Sequence, residues 1–284
     1  MTKNASNLRR MRAGKRAVST IIGMILILAI IVAGVSFVYF LAIPIMNQMQ
    51  DTAMINQVEN SMVLLGNNVL TTVNEGNGSQ TLTQFSYGKG TLMIYPNFVN
   101  ETFQMFNSSS KPQGTYSQML EKVEYNVTTS SNIIPPSSTL YVTGWSWNVV
   151  NGTQGEPNSD IDRIIIQRID SAEVGLLLDF RPRLYYYNDS KGNVYVTINI
   201  VKFAVNPSLM SGIGAGTFQI STQNKNTTIT SYTYAITSSN TFRISASQAG
   251  VTGNVFSYPI NIGAGPHKSV TVNFVVTNVE VGVL

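Results

Sequence analysis

The feature that most constrains this chain is a long uncharged run near its N-terminus. No residue from 18 to 50 is charged, and residues 18–45 are almost continuously apolar. At about 1.5 Å per residue the apolar part makes a helix roughly 42 Å long, whereas the hydrocarbon core of a bilayer is about 30 Å thick. A secretory signal has a shorter apolar region followed by a small-residue cleavage site, and no such site follows this run. The run therefore predicts a membrane-spanning helix.

Positive charge is concentrated before this helix. Six of the 18 basic residues precede it, so the rest of the chain carries 12 basic against 14 acidic residues, although the pI is about 9.2. A basic nucleic-acid-binding surface, and hence a nucleic-acid partner, is not expected from such a distribution. Cations before a spanning helix hold the N-terminus in the cytoplasm, which places everything after about residue 50 outside. The six cations are Lys3, Arg9, Arg10, Arg12, Lys15 and Arg16.

The start of the helix carries a specific motif. Residues 15–26 read Lys-Arg-Ala-Val-Ser-Thr-Ile-Ile-Gly-Met-Ile-Leu, which resembles the N-terminal motif of archaeal type IV pilins. The resemblance implies that a prepilin peptidase recognises the basic region that ends at Arg16 and cuts between Ala17 and Val18. Residues 1–17 are then removed as a leader. Bacterial pilins are less similar, because they carry a glutamate near the mature start where this chain has Ile22.

Removal of the leader has a physical consequence for assembly. The cations hold the protein at the inner membrane surface, because moving each of them through lipid costs several kcal/mol. Once they are gone, an uncharged helix is free to leave lipid and pack against other copies. Gly23 and Gly34 are positions where helices can approach closely. Alternatively, Gly23 and Gly34 have no role in helix contacts and are present only because membrane-spanning helices tolerate glycine in general.

The helix is expected to continue beyond the membrane. Pro44 lacks an N–H group and is expected to kink or loosen it. An apolar stripe at spacings of three and four then predicts an amphipathic extension to about residue 72, before the Gly76-Asn77-Gly78 turn. The stripe packs either on the chain's own head or on neighbouring subunits. Its members are Ile55, Val58, Met62, Leu65 and Val69.

The remainder, residues 76–284, predicts a β-rich head. The fold class is therefore α+β: a long hydrophobic N-terminal α-helix, residues 18–75, followed by an antiparallel β-sandwich-like head. Residues 184–187 and 194–205 are expected to form a hairpin. The polar segment 151–159 is the best internal boundary if the head consists of two modules. The other expected strands are 90–95, 122–127, 140–150, 163–168, 174–180, 227–236, 242–246 and 269–276.

Seven N-x-S/T triplets lie in the head, most of them in expected loops. Such triplets are acceptors for N-glycosylation in secreted proteins. Attached sugars would hydrate a surface that has few charges, since only 11% of the chain is charged. The candidates are Asn77, Asn100, Asn107, Asn126, Asn151, Asn188 and Asn226.

No chemistry-bearing constellation is found, so we expect no enzyme activity, cofactor or metal. Cysteine is absent, which excludes disulfides and thiol chemistry. The single histidine, His267, is expected to be a loop residue rather than a ligand. Residues 212–216 only superficially resemble a phosphate loop. Residues 158–162 resemble the start of a calcium loop but lack its glycine and closing glutamate, so a solvated loop is expected.

One aromatic stripe has two interpretations. Alternating residues from Tyr141 through Trp145 and Trp147 to Val149 share a face of the expected strand 140–150. Exposed, the tryptophans would form a sugar-stacking platform; buried, they would be the centre of a sandwich core. We expect burial, because a sandwich of this size needs large apolar anchors.

These patterns favour a structural function. The expected protein is a major or minor subunit of an archaeal type IV adhesion pilus, anchored in the cell membrane with an extracellular head and then assembled with other pilin subunits into an extracellular filament. The alternative is a membrane-anchored surface protein with a pilin-type leader whose head binds a ligand.

Overall fold

The structure, a computed structural model, describes residues 3–87, 89–107, 112–129, 135, 138–152, 160–170, 172–205, 216–236, 241–249, 256–262 and 269–283. For residues 3–20, 87, 205, 216, 241 and 261 it describes the backbone alone. The chain divides into two compact units, Met1–Thr52 and Ala53–Leu284. The second unit therefore contains the head together with the last part of the N-terminal helix.

The N-terminal helix α1 runs from Lys3 to Glu75. Helical structure continues through Pro44, so this residue does not end the helix despite its missing N–H group. The helix ends at Glu75, the expected bound, directly before Gly76, whose φ of 92° favours glycine. The Ser79 hydroxyl donates to the carbonyl oxygens of Thr72 and Gly76 at 2.6 and 2.7 Å, which satisfies backbone groups at this end.

Thirteen strands in the described residues form two sheets. Sheet A has the order β1-β10-β13-β9-β8-β5, and sheet B has the order β12-β11-β2-β3-β7-β6-β4. The strands are β1 Gln80–Tyr87, β2 Thr91–Asn107, β3 Gly114–Thr128, β4 Thr139–Thr143, β5 Val150–Asn151, β6 Asp162–Arg168, β7 Glu173–Phe180, β8 Arg183–Asn188, β9 Val194–Val205, β10 Gly216–Ala235, β11 Thr241–Gln248, β12 Phe256–Asn261 and β13 Ser269–Val283.

The α+β class with a β-rich head is confirmed, and most strand pairs are antiparallel. Two pairs in sheet A depart from this pattern: β9 pairs with β13 in parallel, and β5 pairs with β8 in parallel. The long chain segment between β9 and β13 passes through β10, β11 and β12 before it returns. A connection of this length is what allows β13 to lie parallel to β9.

The amphipathic part of α1 packs on the head of its own chain. All five residues of the expected stripe are buried, each with 3% or less of its surface exposed. They share a core with Phe85 of sheet A and Val123 and Leu178 of sheet B, so the stripe contributes to a core built from both sheets. Gly66 lets the helix approach closely, because an added Cβ would lie 3.1 Å from an Oδ atom of Asp162. The first of the two interpretations of the stripe is thus confirmed.

A second core lies between the two sheets. The Phe103 ring of β2 and the Phe274 ring of β13 are 5.4 Å apart between centroids, and Tyr116 of β3 stacks on Phe274 at 4.0 Å. A third contact between the sheets, Phe180 to Phe203 at 5.2 Å, lies in the core that contains the helix stripe. Large aromatic residues thus fill the space between the sheets.

Several strand predictions are confirmed and others are wrong. The expected hairpin of residues 184–187 and 194–205 corresponds to β8 and β9. The expected strand 140–150 is wrong, because β4 ends at Thr143 and an irregular segment follows. Strands β1 and β12 were not predicted from the sequence. Most of the proposed boundary segment, residues 153–159, lies outside the described part of the chain.

Candidate functional site

The first functional feature is the apolar surface of α1 between residues 21 and 49. In this segment every large aliphatic or aromatic side chain is exposed except Ile43, which is half-buried. By length and composition the helix Ile21–Glu75 is sufficient to cross a membrane, and a signal sequence near an N-terminus has the same properties. An apolar surface this continuous is not stable in water and requires lipid or protein around it.

The two glycines of this segment have open surroundings. A Cβ added at Gly23 or Gly34 would find no atom within 4 Å. Within the chain, therefore, neither glycine serves a close contact, and their role in helix association stays a prediction. Arg16, Ala17 and Val18 lie in the helical backbone of α1, and their side chains are outside the described part of the structure.

The second feature is an exposed aromatic loop, which we define as residues 144–150. Trp145 and Trp147 have 57% and 65% of their surfaces exposed, so the expectation that they are buried is wrong. The physical reason is that β4 ends at Thr143, and the chain then turns at Gly144 with a φ of 71°. Because residues 144–149 are not part of a strand, the alternate positions of Trp145 and Trp147 no longer place their side chains on the inner face of a sheet. Val149 alone of this face is fully buried.

A buried arginine holds the aromatic loop in place. Nη1 of Arg181 donates to the backbone carbonyl oxygens of Trp145 and Trp147, at 3.1 Å each. Its Nη2 donates to the carbonyl oxygen of Asp160. Gly144 leaves the space that this guanidinium needs, because an added Cβ would lie 2.8 Å from Nη2. The backbone of the loop thus faces Arg181 while both indole rings face solvent.

The surroundings of Arg181 are strongly charged. Burial, together with the nearby charge of Arg163, lowers the pKa of Arg181 to about 10, so the guanidinium remains charged at neutral pH. Arg163 itself forms a two-point ion pair with Asp179, at 2.9 Å from Nε and 2.5 Å from Nη2. Burial raises the pKa of Asp162. The role of Arg181 was not predicted from the sequence, because nothing in the local pattern distinguishes it from a surface arginine.

A cavity of about 320 Å³ lies at the loop. It is lined by Trp145, Ser146, Trp147, Val149, Val150 and Arg181, and therefore combines apolar rings with polar groups. The loop carries no charged residue. The charge of Arg181 in the lining is directed at backbone carbonyl oxygens, and a surface of apolar rings with a few polar groups suits a small neutral ligand.

The candidate glycosylation sites differ in accessibility. Asn77, in a turn, and Asn151 and Asn188, at strand ends, are exposed, as is Asn226 within β10. The side chain of Asn226 accepts a hydrogen bond from Nδ2 of Asn278 at 2.6 Å. The expectation that most sites lie in loops is wrong, because only Asn77 does.

The three remaining candidates lie in sheet B and are half-buried. Asn107 ends β2, and its Nδ2 donates to the carbonyl oxygen of Ala235 at 3.1 Å. Asn100 lies within β2. Asn126 is inside β3, between β2 and β7, and its Oδ1 is 3.0 Å from the position that a Cβ on Gly175 would occupy. Such packing leaves little space for a sugar at Asn126 in the folded head.

Two buried glutamates form a third feature of the head. Glu101 of β2 and Glu121 of β3 are almost completely buried. Burial raises the pKa of each carboxyl group to about 7, although Lys202, 3.8 Å away, opposes the effect at Glu121. An Oε atom of Glu121 also accepts a hydrogen bond from the backbone N–H of Phe203 at 3.2 Å. These carboxyl groups can titrate near neutral pH.

The remaining motifs offer no constellation for chemistry. Among the residues that the structure describes, no group of three His, Asp or Glu side chains is placed to hold a metal ion. His267, residues 212–215 and residues 158–159 lie outside those residues. Asp160 and Asp162, the rest of the calcium-like segment, are close to Arg181, whose charge they partly balance.

Comparison with known proteins gives one match. A model of a family of unknown function, DUF7289, matches residues 16–131, which is less than half of the chain. The matched part contains α1 from Arg16 onward, with its apolar surface and its buried stripe, and the first three strands. It ends before the aromatic loop. No curated protein and no solved structure matches the chain.

Proposed function

We propose that the chain is a structural subunit, major or minor, of an archaeal type IV adhesion pilus. The prepilin peptidase removes residues 1–17, and the subunit then assembles with other pilin subunits through its N-terminal helix. The protein is first anchored in the membrane with its head outside the cell, and the mature form is part of an extracellular filament. No enzymatic step belongs to this function.

The observation that carries the proposal is the contrast between two parts of one helix. From Ile55 to Val69 the apolar stripe of α1 is buried by the head, whereas between residues 21 and 49 the apolar surface is exposed. The exposed part surrounds the helix and carries no charge, so it suits lipid before assembly and other helices afterwards. A helix that is apolar on all sides requires such an environment.

The leader motif supplies the second support. Lys15 and Arg16 directly precede the short Ala17-Val18-Ser19 sequence at the start of the apolar run. A cut after Ala17 leaves the entire apolar helix with the head. It removes all six cations that oppose withdrawal of the helix from the membrane.

The proposal is tested by mapping the N-terminus of the mature chain in sheared filaments and in membranes. We expect a chain that starts at Val18 in the sheared fraction. The same start in membranes only would favour an anchored protein that does not polymerise. A chain that keeps Met1 in both fractions would contradict processing by a prepilin peptidase.

A matched pair of variants tests the recognition of the leader. Replacement of both Lys15 and Arg16 by alanine is expected to leave the leader uncut, because it removes the basic end of the motif. The control replaces Arg9 and Arg10 by alanine, which removes the same charge but keeps the motif. The control should be cut normally. Normal cleavage of both variants would show that the basic end of the motif is not needed, and an equal loss of cleavage in both would show that charge rather than the motif directs processing.

A second candidate function is supported by the exposed tryptophans. A membrane-anchored protein with a binding head would present Trp145 and Trp147 to solvent, as they are here. The two functions differ in the fate of the helix: the pilin leaves the membrane, whereas the anchored receptor stays in it. The fractionation experiment above distinguishes them.

A further inference from the structure

We propose that the aromatic loop is a carbohydrate-binding site that stacks neutral sugar rings on Trp145 and Trp147. The sugar comes either from the chain's own glycan at Asn151 or from a separate polysaccharide. The inference concerns the head alone, and it holds for either candidate function.

Contacts within the chain hold the aromatic loop in place. The two carbonyl oxygens that Arg181 holds at 3.1 Å belong to the two residues whose rings are exposed. A further hydrogen bond, from the N–H of Val150 to the carbonyl oxygen of Pro182 at 2.9 Å, fixes the end of the loop. A site that is ordered in advance loses little conformational entropy when a ligand binds. The buried Arg181 therefore holds the rings of Trp145 and Trp147 in positions that are exposed to solvent.

The chemistry of the exposed surface suits sugar rings. Pyranose rings combine apolar C–H faces with hydroxyl groups, and indole rings offer the flat apolar surface on which such faces stack. Ser146, between the two tryptophans, is exposed and adds a hydroxyl group at the cavity. The loop itself has no charged residue. Among the described residues that line the cavity, the one charged group is Arg181, which donates from Nη1 and Nη2 to backbone carbonyl oxygens. The two rings and the Ser146 hydroxyl are therefore the groups that remain for a ligand.

Asn151 lies close to the two tryptophans along the chain. This exposed asparagine begins an N-x-S/T triplet and follows the loop directly, at the end of β5. It lies four residues after Trp147, a separation that spans at most about 14 Å even in extended chain. A few linked pyranose rings cover such a distance. A glycan at Asn151 can therefore reach the tryptophans of its own chain.

The experiment uses the fact that the chain contains two tryptophans, both in the loop. Tryptophan fluorescence of the full chain in detergent micelles therefore reports on this site alone when tyrosine is not excited. Acrylamide quenching measures the access of solvent to the two rings. The emission wavelength measures the polarity around them.

The first arm tests the chain's own glycan, in protein made by a host that performs N-glycosylation. Asn151→Gln is compared with the unchanged chain, and Asn77→Gln is the control that removes another exposed site. If the glycan at Asn151 covers the rings, Asn151→Gln should be quenched by acrylamide about twofold more strongly. Asn77→Gln should then behave like the unchanged chain.

The second arm tests separate sugars, with protein from a host that does not glycosylate. Chitohexaose, cellohexaose and mannohexaose are added to the full chain. A saturable blue shift with any of them, at least about tenfold weaker in Trp147→Ala, supports the site. In that variant Trp145 remains as the reporter, and because residue 147 is exposed its replacement should leave the circular dichroism of the head unchanged.

Two results would overturn the proposal. One is the absence of both effects: no protection that depends on Asn151, and no saturable shift with any oligosaccharide. The other is contact with lipid, measured as loss of tryptophan emission when the full chain is reconstituted into phosphatidylcholine vesicles with brominated instead of ordinary acyl chains. In that case the loop is a membrane-contacting element. Neither result bears on the N-terminal mapping, so the two proposals can fail independently.

Discussion

At the scale of single residues, Arg181 has the clearest structural task. It is buried, and its guanidinium donates hydrogen bonds to three backbone carbonyl oxygens. A planar group with fixed donors suits this arrangement, whereas the single ammonium of lysine cannot reach carbonyl groups that lie in different directions. The order of the aromatic loop should therefore depend on arginine specifically.

We predict that Arg181→Lys loosens the aromatic loop and lowers the stability of the head by about 2 kcal/mol, because the part-buried hydrogen bonds from the guanidinium to three carbonyl oxygens are lost. Tryptophan anisotropy should fall, and acrylamide quenching should increase. Arg243→Lys is the matched control, since Arg243 is exposed on β11 and lies 4.2 Å above the Phe106 ring. An unchanged anisotropy in Arg181→Lys would contradict the assigned role.

At the scale of elements, α1 combines two environments in one continuous helix. Its apolar stripe was recognisable from the sequence because a period of three and four residues reports burial on one side. The hairpin of β8 and β9 was equally visible, because its turn is built locally: Oδ1 of Asp189 accepts from the N–H groups of Lys191 and Asn193 at 2.8 Å. Local chemistry of this kind is readable without knowledge of the rest of the chain.

Other elements depend on distant partners and were not predictable. Strand β1 pairs with β10, where Gln80 lies opposite Gln223, and no local pattern reports such a pairing. The exposure of the tryptophans has the same origin. Their orientation depends on Arg181, which is more than thirty residues away in sequence. The expectation that large aromatic residues are buried is therefore wrong at this loop, where a buried charge between β7 and β8 decides the backbone path.

We predict that Met62→Ala destabilises the head by about 2–5 kcal/mol, because it removes a fully buried side chain from the stripe and leaves a cavity. Leu64→Ala, two positions along the same helix, should change the stability by about 0.5 kcal/mol or less, since Leu64 is 47% exposed. Chemical denaturation followed by near-ultraviolet circular dichroism measures both. Equal losses would show that the upper part of α1 does not pack on the head in solution.

At the scale of the whole molecule, the buried glutamates link stability to pH. The pKa of Glu101 and of Glu121 is raised from 4.5 to about 7. At pH values between 4.5 and about 7, the carboxyl groups of Glu101 and Glu121 are protonated in the folded chain but ionised in the unfolded chain. The free energy of unfolding must therefore decrease as the pH rises through this window.

We predict that the chain is more stable at pH 5 than at pH 7.5, by on the order of 2 kcal/mol for each of the two groups. Glu101→Gln should reduce this difference, mainly by stabilising the protein at pH 7.5. Glu75→Gln, at the exposed end of α1, is the control and should leave the difference unchanged. Denaturant midpoints at the two pH values measure the effect, and a stability that increases from pH 5 to 7.5 would refute the prediction.

The position of β13 has a consequence for how the head is made. This strand, the last of the thirteen in sequence order, lies inside sheet A, between β10 and β9. A ribosome releases the chain from its N-terminal end, so every other strand of the sheet emerges while the central one is still missing. Residues 269–283 are therefore the strand that completes sheet A. Until these residues are synthesised, the inner faces of the other strands and the apolar stripe of α1 are not fully buried. During that interval the nascent protein most needs protection from aggregation.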